Sequence, residues 1–558
     1  MRRAPMLRGA LGAVLAAILC AVLSGCVVVP RSGGVQVGGP LSVQEERNPV
    51  LNPSRPQPGA SQADIVRGFL NAALNPSNGF AIAREYLTPE FSPRWNPVAN
   101  VTIDTGLRSV SDDGTSAVVQ AVADVDGHGV YQAGNGAAPV TLKFALAQVN
   151  GEWRISQASD GIVVEQSFFD TVFTEHSLYF LDPSLQYLVP DVRWFPTRLA
   201  ATTRIVSELL AGPADWLTGA VTTAFPEGTA LATGTVLVSD GVASVDLTTD
   251  GVPKDTRTRV AMQRQLEQSL ASVTGVSSVQ ILIEQAPLPA APADSPGPVR
   301  APAPPSTPYV LKGGAFGALI GGEVQAEPGI GAIVAQAGPS AVMALPEQGL
   351  AAVLREDGVS LVSGGGLQLV DDRPGLAPPA IDRHGWVWSV PSQSPTALRA
   401  TQGPGSAVSV PAGWSNAASI SAIAVSRDGT RLAALVQRGG EAVVLVSGIV
   451  RNGQGAPTSL TAPFDVAVSD GTGVGLDWAD DSQLVTVVQL PSGTDRIARV
   501  PVGGEPDVLA DSAEVTSVAG LDRPTQLRLL TADGTLLASR DPNWQTIDTG
   551  VSLLARLG

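Results

Sequence analysis

The chain has 558 residues, with 44% hydrophobic and 15% charged side chains, enough apolar material for several cores, so wholesale disorder is excluded. The formal net charge is −16, and only three of the cations are lysines (Lys143, Lys254, Lys312), so the electrostatic footprint of a nucleic-acid binder is absent. The 60 glycines and 44 prolines, against 5% aromatics, favour many short strands and turns over long helical bundles.

Arg2, Arg3 and Arg8 precede an apolar run from Ala10 to Leu23, and Leu23-Ser24-Gly25-Cys26 follows. A charged start, a short apolar run and a small-residue end predict a secretory signal over residues 1–25. The run is shorter than the about 20 residues of a spanning helix. The tetrapeptide resembles a bacterial lipobox, which implies cleavage between Gly25 and Cys26 and a Cys26 carrying N-acyl and S-diacylglycerol groups. Two or more acyl chains hold a protein stably on a bilayer where one does not. Loss of the three arginines takes the charge from −16 to −19. The acyl chains, and not a basic patch, are therefore expected to attach the protein to the outer face of the cell membrane. Cys20 leaves with the signal and Cys26 carries lipid, so the mature body has no thiol for catalysis, metal or disulfide.

Residues 26–59 are rich in Gly, Pro, Ser and Asn and read as a flexible tether. Ser61-Gln62-Ala63-Asp64 opens a helix with Ile65, Val66, Phe69, Leu70 and Ala73 on one face, stopped at Asn75-Pro76. Ala81 to Leu87 reads as a second short helix. Strands follow: one marked by Val118, Val122 and Val125, another with Val140, Leu142, Phe144 and Leu146 alternating with Thr141, Lys143 and Ala145. Asn150-Gly151 predicts a two-residue hairpin turn before Trp153, a core residue, and Ile155. Helices followed by a curved sheet over 60–168 resemble the NTF2-like α+β cone.

Over 169–286 the order is strand, strand, helix, strand, strand, helix, strand. The first two strands flank Asp182-Pro183-Ser184. A helix carries Leu199, Val206, Leu209 and Leu210 and ends at Gly212-Pro213. A hairpin turns at Asp240-Gly241. A second helix carries Met262, Leu266, Leu270 and Val273 and closes at Gly275, and Val279 to Ile283 is the last strand. This order resembles the GerMN domain of sporulation and germination proteins, and Val236 to Leu247 carries the likeness best. Residues 287–308 are Pro- and Ala-rich, unable to continue a helix or a central strand, and read as a linker stiffened toward polyproline II.

From 309 to 558 a unit of strand, tight polar turn and strand recurs, with turns at Asp357-Gly358, His384-Gly385, Asp428-Gly429, Asp480-Asp481 and Asp533-Gly534. The Asp-Gly pairs fit two-residue hairpins. Repeats at this spacing predict a β-propeller of about five to seven blades. The fold class is thus multidomain: two α+β domains, one NTF2-like and one GerMN-like, then an all-β propeller.

Lipobox, NTF2-like domain, GerMN-like domain, Pro-rich linker and propeller, in that order, resemble the LpqB family of actinobacterial lipoproteins over nearly the whole chain. The resemblance implies a partner, the extracytoplasmic part of the sensor kinase MtrB. Through it the response regulator MtrA, cell division and envelope homeostasis would be affected. The family offers no short binding motif that would carry an interface residue onto this chain.

No catalytic, cofactor or metal site is expected. His128, His176 and His384 have no partner at metal-helix spacing and read as surface or turn residues. No Gly-Lys pair makes a phosphate loop, and no lysine has a serine three positions before it. Gly471-Thr472-Gly473-Val474-Gly475 reads as a loop before a blade. Asp371-Asp372 and Asp480-Asp481 read as solvated turn acids, since neighbours on a strand face opposite sides. Asp246 and Asp250 fit a polar groove or an edge strand kept soluble. Three readings remain: a non-enzymatic interaction protein, a wall-glycan binder through the second domain, and a propeller hydrolase or lyase with converging acids.

Overall fold

The computed structural model describes residues 53–558 except 198–199, 250–252, 290–291 and 293–294. The signal, Gly25, Cys20, Cys26, most of the tether, Leu199 and Asp250 lie outside the described residues. None of the described helices is long and apolar enough to cross a membrane.

In the first domain, helix α1 (Gln62–Ala72) starts where expected. Ser61 Oγ accepts from the Asp64 N–H at 3.2 Å, satisfying a donor that the first helical turn leaves free. Ile65, Val66, Phe69, Leu70 and Ala73 are all buried. Helix α2 spans Ser77–Arg84, earlier than the expected 81–87, and opens with a left-handed stretch at Asn78, Gly79 and Phe80. Strands β1 (Asn100–Val110), β2 (Ser116–Asp126), β3 (Tyr131–Lys143) and β6 (Ile162–Glu165) form one sheet in the order β3-β2-β1-β6. Its buried face on β2 is Ala117, Val119, Ala121, Ala123 and Val125. Val118 and Val122 therefore point to the opposite side from Val125, a parity that three valines spaced by four and three could not set. The alternating run from Val140 to Leu146 also splits. The chain leaves the sheet at Phe144, and β4 (Ala145–Val149) pairs only with β5 (Glu152–Gln157). Asn150 and Gly151 take φ 54° and 83°, the left-handed pair that a two-residue hairpin requires.

The second domain holds β7 (Phe173–Leu181) and β8 (Tyr187–Pro196), helix α3 (Ala201–Ala211), β9 (Ala230–Leu231), β10 (Leu237–Ser239), β11 (Val242–Thr248), helix α4 (Thr256–Leu270) and β12 (Ser278–Ile283). Asp240 and Gly241 (φ 52° and 80°) turn the expected hairpin. The Pro-rich segment is not a free spacer. Its ends add short strands: β13 (Ala286–Pro287) extends the β12 sheet, and β14 (Val299–Arg300) lies parallel to β8. Both lie at sheet edges, where few N–H groups must pair.

Residues 309–557 close into a ring of six sheets among the described residues. Closure is circular. The C-terminal strand Val551–Leu554 pairs with Tyr309–Lys312 and becomes the innermost strand of blade 1, and Arg556–Leu557 then runs parallel to Ala341–Leu345 of blade 2. The inner strands of blades 3 to 6 are Ala380–Ile381, Ser419–Val425, Thr472–Trp478 and Val515–Gly520. Two of the blade turns are longer than the expected two-residue hairpins. Gly429 N–H donates to Ser426 O and Gly534 N–H to Thr531 O, inside loops that the aspartates tie from within. Asp428 Oδ1 accepts from Ser426 Oγ at 2.8 Å and from Thr430 N–H at 2.8 Å, and Asp533 Oδ1 accepts from Thr531 Oγ1 and Thr535 N–H. At Glu356-Asp357 the turn does have two residues, with Gly358 as the first residue of the next strand.

Candidate functional site

The feature that unites the molecule is the seam along β8. Its eight residues from Leu188 to Phe195 are all buried, because both faces are covered. Trp194 stands where three domains meet. Its ring packs 4.8 Å from Phe169 and 6.4 Å from Tyr131, and its Nε1–H donates to Gly503 O in blade 5 at 2.7 Å. Its backbone N–H donates to Gly129 O at 2.8 Å. Gly129 has φ 83°, and a Cβ there would lie 2.8 Å from Phe195 and from Trp194 O, so only glycine permits the approach.

Beside it, Asp191 and Arg193 form a buried two-pronged ion pair at 3.0 and 2.7 Å. Further bonds tie the pair to the first domain and within the second. Arg193 Nη1 donates to His128 O at 2.9 Å, and Asp191 Oδ2 accepts from Ala214 N–H at 2.8 Å. Burial works against the Arg193 charge, but Asp191, with Glu208 and Asp126, more than offsets it and keeps the guanidinium above its ordinary value. His128 Nδ1 lies 2.9 Å from Glu208 Oε2 on α3, which fastens the β2–β3 turn to the second domain.

Toward the propeller, Trp216 stacks on Phe464 at 5.5 Å between ring centres, and Thr461 Oγ1 donates to Trp216 O. Arg383 sits 3.6 Å over the Tyr187 ring. From the Pro-rich segment, Arg300 holds Asp481 with two bonds of 2.7 Å and lies over Tyr179. One apolar cluster runs from Leu178, Phe180 and Leu266 of the second domain into Ala424, Leu435, Val444 and Trp478 of blades 4 and 5.

Among the described residues, the acids singled out in the sequence do not converge. Asp371 is buried, not solvated. It accepts from Arg373 and from Ser389 Oγ (2.6 Å). Burial would raise its carboxyl, but these bonds hold it below the usual carboxylate range. Asp480 caps its own turn by accepting from Ser482 and Gln483 N–H, and burial pushes its carboxyl up. Its neighbour Asp481 is engaged by Arg300. Asp246 Oδ1 accepts from Gln285 N–H, an edge-closing role. Among the histidines, His176 departs from the expected surface position. It is buried, stacked on Phe195, with Nδ1 3.0 Å from Ser272 Oγ, and burial lowers its pKa. His384, in its turn, and His128 are both exposed. Gly471 to Gly475 opens the inner strand of blade 5, with φ 115° at Gly471. Trp153 is half-buried against the first core. Among the described residues no three His, Cys, Asp or Glu side chains gather as a metal site.

Three family models match in the order of these domains: "Lipoprotein LpqB, N-terminal domain" over residues 55–170, "Sporulation and spore germination" over 177–289, and "Lipoprotein LpqB beta-propeller domain" over 314–553. The chain belongs to the LpqB family. Its relatives named Lipoprotein LpqB include one from Bifidobacterium longum, 28% identical over 524 residues, covering 88% of this chain and 87% of the relative. Another, from Rhodococcus jostii, is 28% identical over 574 residues, covering 94% and 92%. A third, from Nocardia farcinica, is 34% identical over 221 residues, covering 38% and 36%. Among solved structures, TolB from Acinetobacter baumannii is similar at a TM-score of 0.34 and 12% identity, over 45% of this chain and 66% of that one. The LpqB relatives are named as lipoproteins and not as enzymes.

The seam itself was not legible as a site. Trp194, Asp191 and Arg193 lie in a run that alternation alone would make half-exposed. The available signal was the apolar run Leu188-Val189-Pro190, Val192 and Trp194-Phe195, interrupted only by Asp191 and Arg193, which marks a strand covered on both sides.

Proposed function

We propose that the chain is a non-enzymatic lipoprotein, held by Cys26 on the extracytoplasmic face of the membrane, that binds the extracytoplasmic part of an MtrB-like sensor kinase. Through that kinase it would affect cell division and envelope homeostasis. The observation that supports this reading most directly is the seam around Trp194. With three domains joined there, a tether on the first domain also places the propeller. Such a body presents a pre-formed surface, and a pre-formed surface loses little conformational freedom on binding. To alter the kinase it must bind one signalling state more tightly than the other, typically by about 1–3 kcal/mol.

Crosslinking in living cells, followed by pull-down from detergent-solubilised membranes and partner identification, tests this for the native chain and for Cys26→Ala. Recovery of a sensor kinase with the native chain, lost with Cys26→Ala, is the expected outcome. Retention on purified wall sacculi without a kinase would turn the reading to wall glycan. Turnover of wall fragments would overturn the non-enzymatic assignment.

A further inference from the structure

At the centre of the ring lies an open cavity of about 340 Å³, lined by the inner strands and adjoining residues of all six blades. That is within the size range of small-ligand sites, about 300–1,000 Å³. Eight of its lining residues are Gly, Ala or Ser, Ala341, Ala422, Gly475 and Ser517 among them, and eight are Val or Leu. Among the lining residues one alone is charged, and it is a cation, Arg556, in a chain of net charge −16.

Arg556 is buried and reaches across three blades. Its Nη1 donates to Ile423 O (2.6 Å) and Leu476 O (3.3 Å), and its Nη2 to Pro379 O (2.6 Å). A guanidinium carries five N–H donors. These three bonds leave two without a protein acceptor. Buried Asp477, on the inner strand of blade 5, favours the charge of Arg556 electrostatically but does not line the cavity, and its Oδ2 accepts from Gly520 N–H at 3.0 Å. The hydroxyls of the lining already donate: Ser517 Oγ to Leu554 O, Thr516 Oγ1 to Leu530 O, and Ser340 Oγ to Leu354 O. What they still offer a ligand is oxygen lone pairs.

We propose that this channel binds a small sugar acid. Its carboxylate meets the two spare donors of Arg556, and its hydroxyl or amide hydrogens are accepted by the channel serines and threonines. Carbonyl acceptors and the charge of Asp477, which sits outside the lining, support the guanidinium in part, and a carboxylate in the cavity would meet the donors that neither takes. The five lining hydroxyls, of Ser340, Thr516, Ser517, Thr531 and Ser552, favour a polyhydroxylated acid over an apolar peptide terminus. This site is independent of the kinase proposal.

The test is calorimetric titration of the full-length protein in detergent with N-acetylmuramic acid, N-acetylglucosamine and an acetylated alanyl-alanine acid. The first two sugars differ by the carboxylate-bearing arm. N-acetylmuramic acid is expected to bind saturably, with N-acetylglucosamine about tenfold weaker or more, as suits loss of a charge-assisted pair. Ser517→Tyr is expected to abolish binding with the thermal midpoint preserved, and Arg556→Lys to weaken it by about tenfold. If Arg556→Lys does not fold, Ser517→Tyr decides. Absence of saturable N-acetylmuramic acid binding, equal binding of both sugars, binding of the dipeptide acid alone, or binding indifferent to Ser517→Tyr would each overturn the proposal.

Discussion

Asp428 and Arg431 face each other at 2.5 Å with both side chains essentially buried, and the Arg431 guanidinium also lies 4.8 Å from the Trp478 ring. Removing the acid strands the cation. Asp428→Ala is expected to destabilise the chain by about 3–5 kcal/mol, measurable by denaturant titration. Asp371 gives the pH signature. Its carboxyl is held below its unfolded value by Arg373 and Ser389 against the opposing effect of burial. The stabilisation is therefore complete above the unfolded pKa of about 3.9 and is lost as pH falls through the lower folded value. Asp371→Asn should be destabilised at pH 7, with the gap to the parent narrowing below about pH 4. A gap that stays constant down to pH 2 would refute the assignment. These buried acids look like surface turn residues in the sequence, because a polar Asp-rich stretch between strands is a turn signal whether or not the folded blades cover it and its neighbouring arginine.

At the level of elements, the Pro-rich segment shows how composition misleads. Pro287 to Pro308 has no helical or central-strand pattern, yet β14 adds to β8 through two residues and Arg300 clamps Asp481. The clamp is two-pronged but Arg300 is half-exposed, so its contribution is modest. A double-mutant cycle of Arg300→Ala and Asp481→Ala should give a coupling of about 0.5–1 kcal/mol, reduced by salt. The same variants should speed proteolytic nicking between residues 287 and 308, and unchanged nicking would mean the segment is held by β14 alone. By contrast, Ser61 and Asn150-Gly151 acted as read, because a helix cap and a two-residue hairpin depend on neighbours within four residues.

Across the whole molecule, Trp194 and Trp216 are the contacts whose loss should separate the domains. Trp→Ala at a buried site costs about 3–5 kcal/mol. For Trp194→Ala and Trp216→Ala, scanning calorimetry is expected to resolve the propeller transition from those of the α+β domains, where the native chain shows closer coupling. A single unbroken transition in both variants would show that the common apolar cluster suffices. Domain order and the repeating blade turns were visible beforehand, since each is written in a local or regularly recurring pattern. Six blades, and closure by Val551–Leu554, were not: that strand completes a sheet begun some 240 residues earlier, at Tyr309.

What the amino-acid order determined alone is whatever short-range chemistry dictates: the Ser61 cap, the Asn150-Gly151 and Asp240-Gly241 turns, the helical stripe of α1, the strand-rich C-terminal half, and the sequence of three domains. Tertiary structure decided which face of β2 is buried, where the 140–146 run breaks, that β8 is covered on both sides, and that Arg556 spans three blades at the heart of the ring. Each of these depends on a partner far along the chain. Periodicity records that a residue is apolar or charged, but only the folded arrangement supplies the surface or carbonyl it meets.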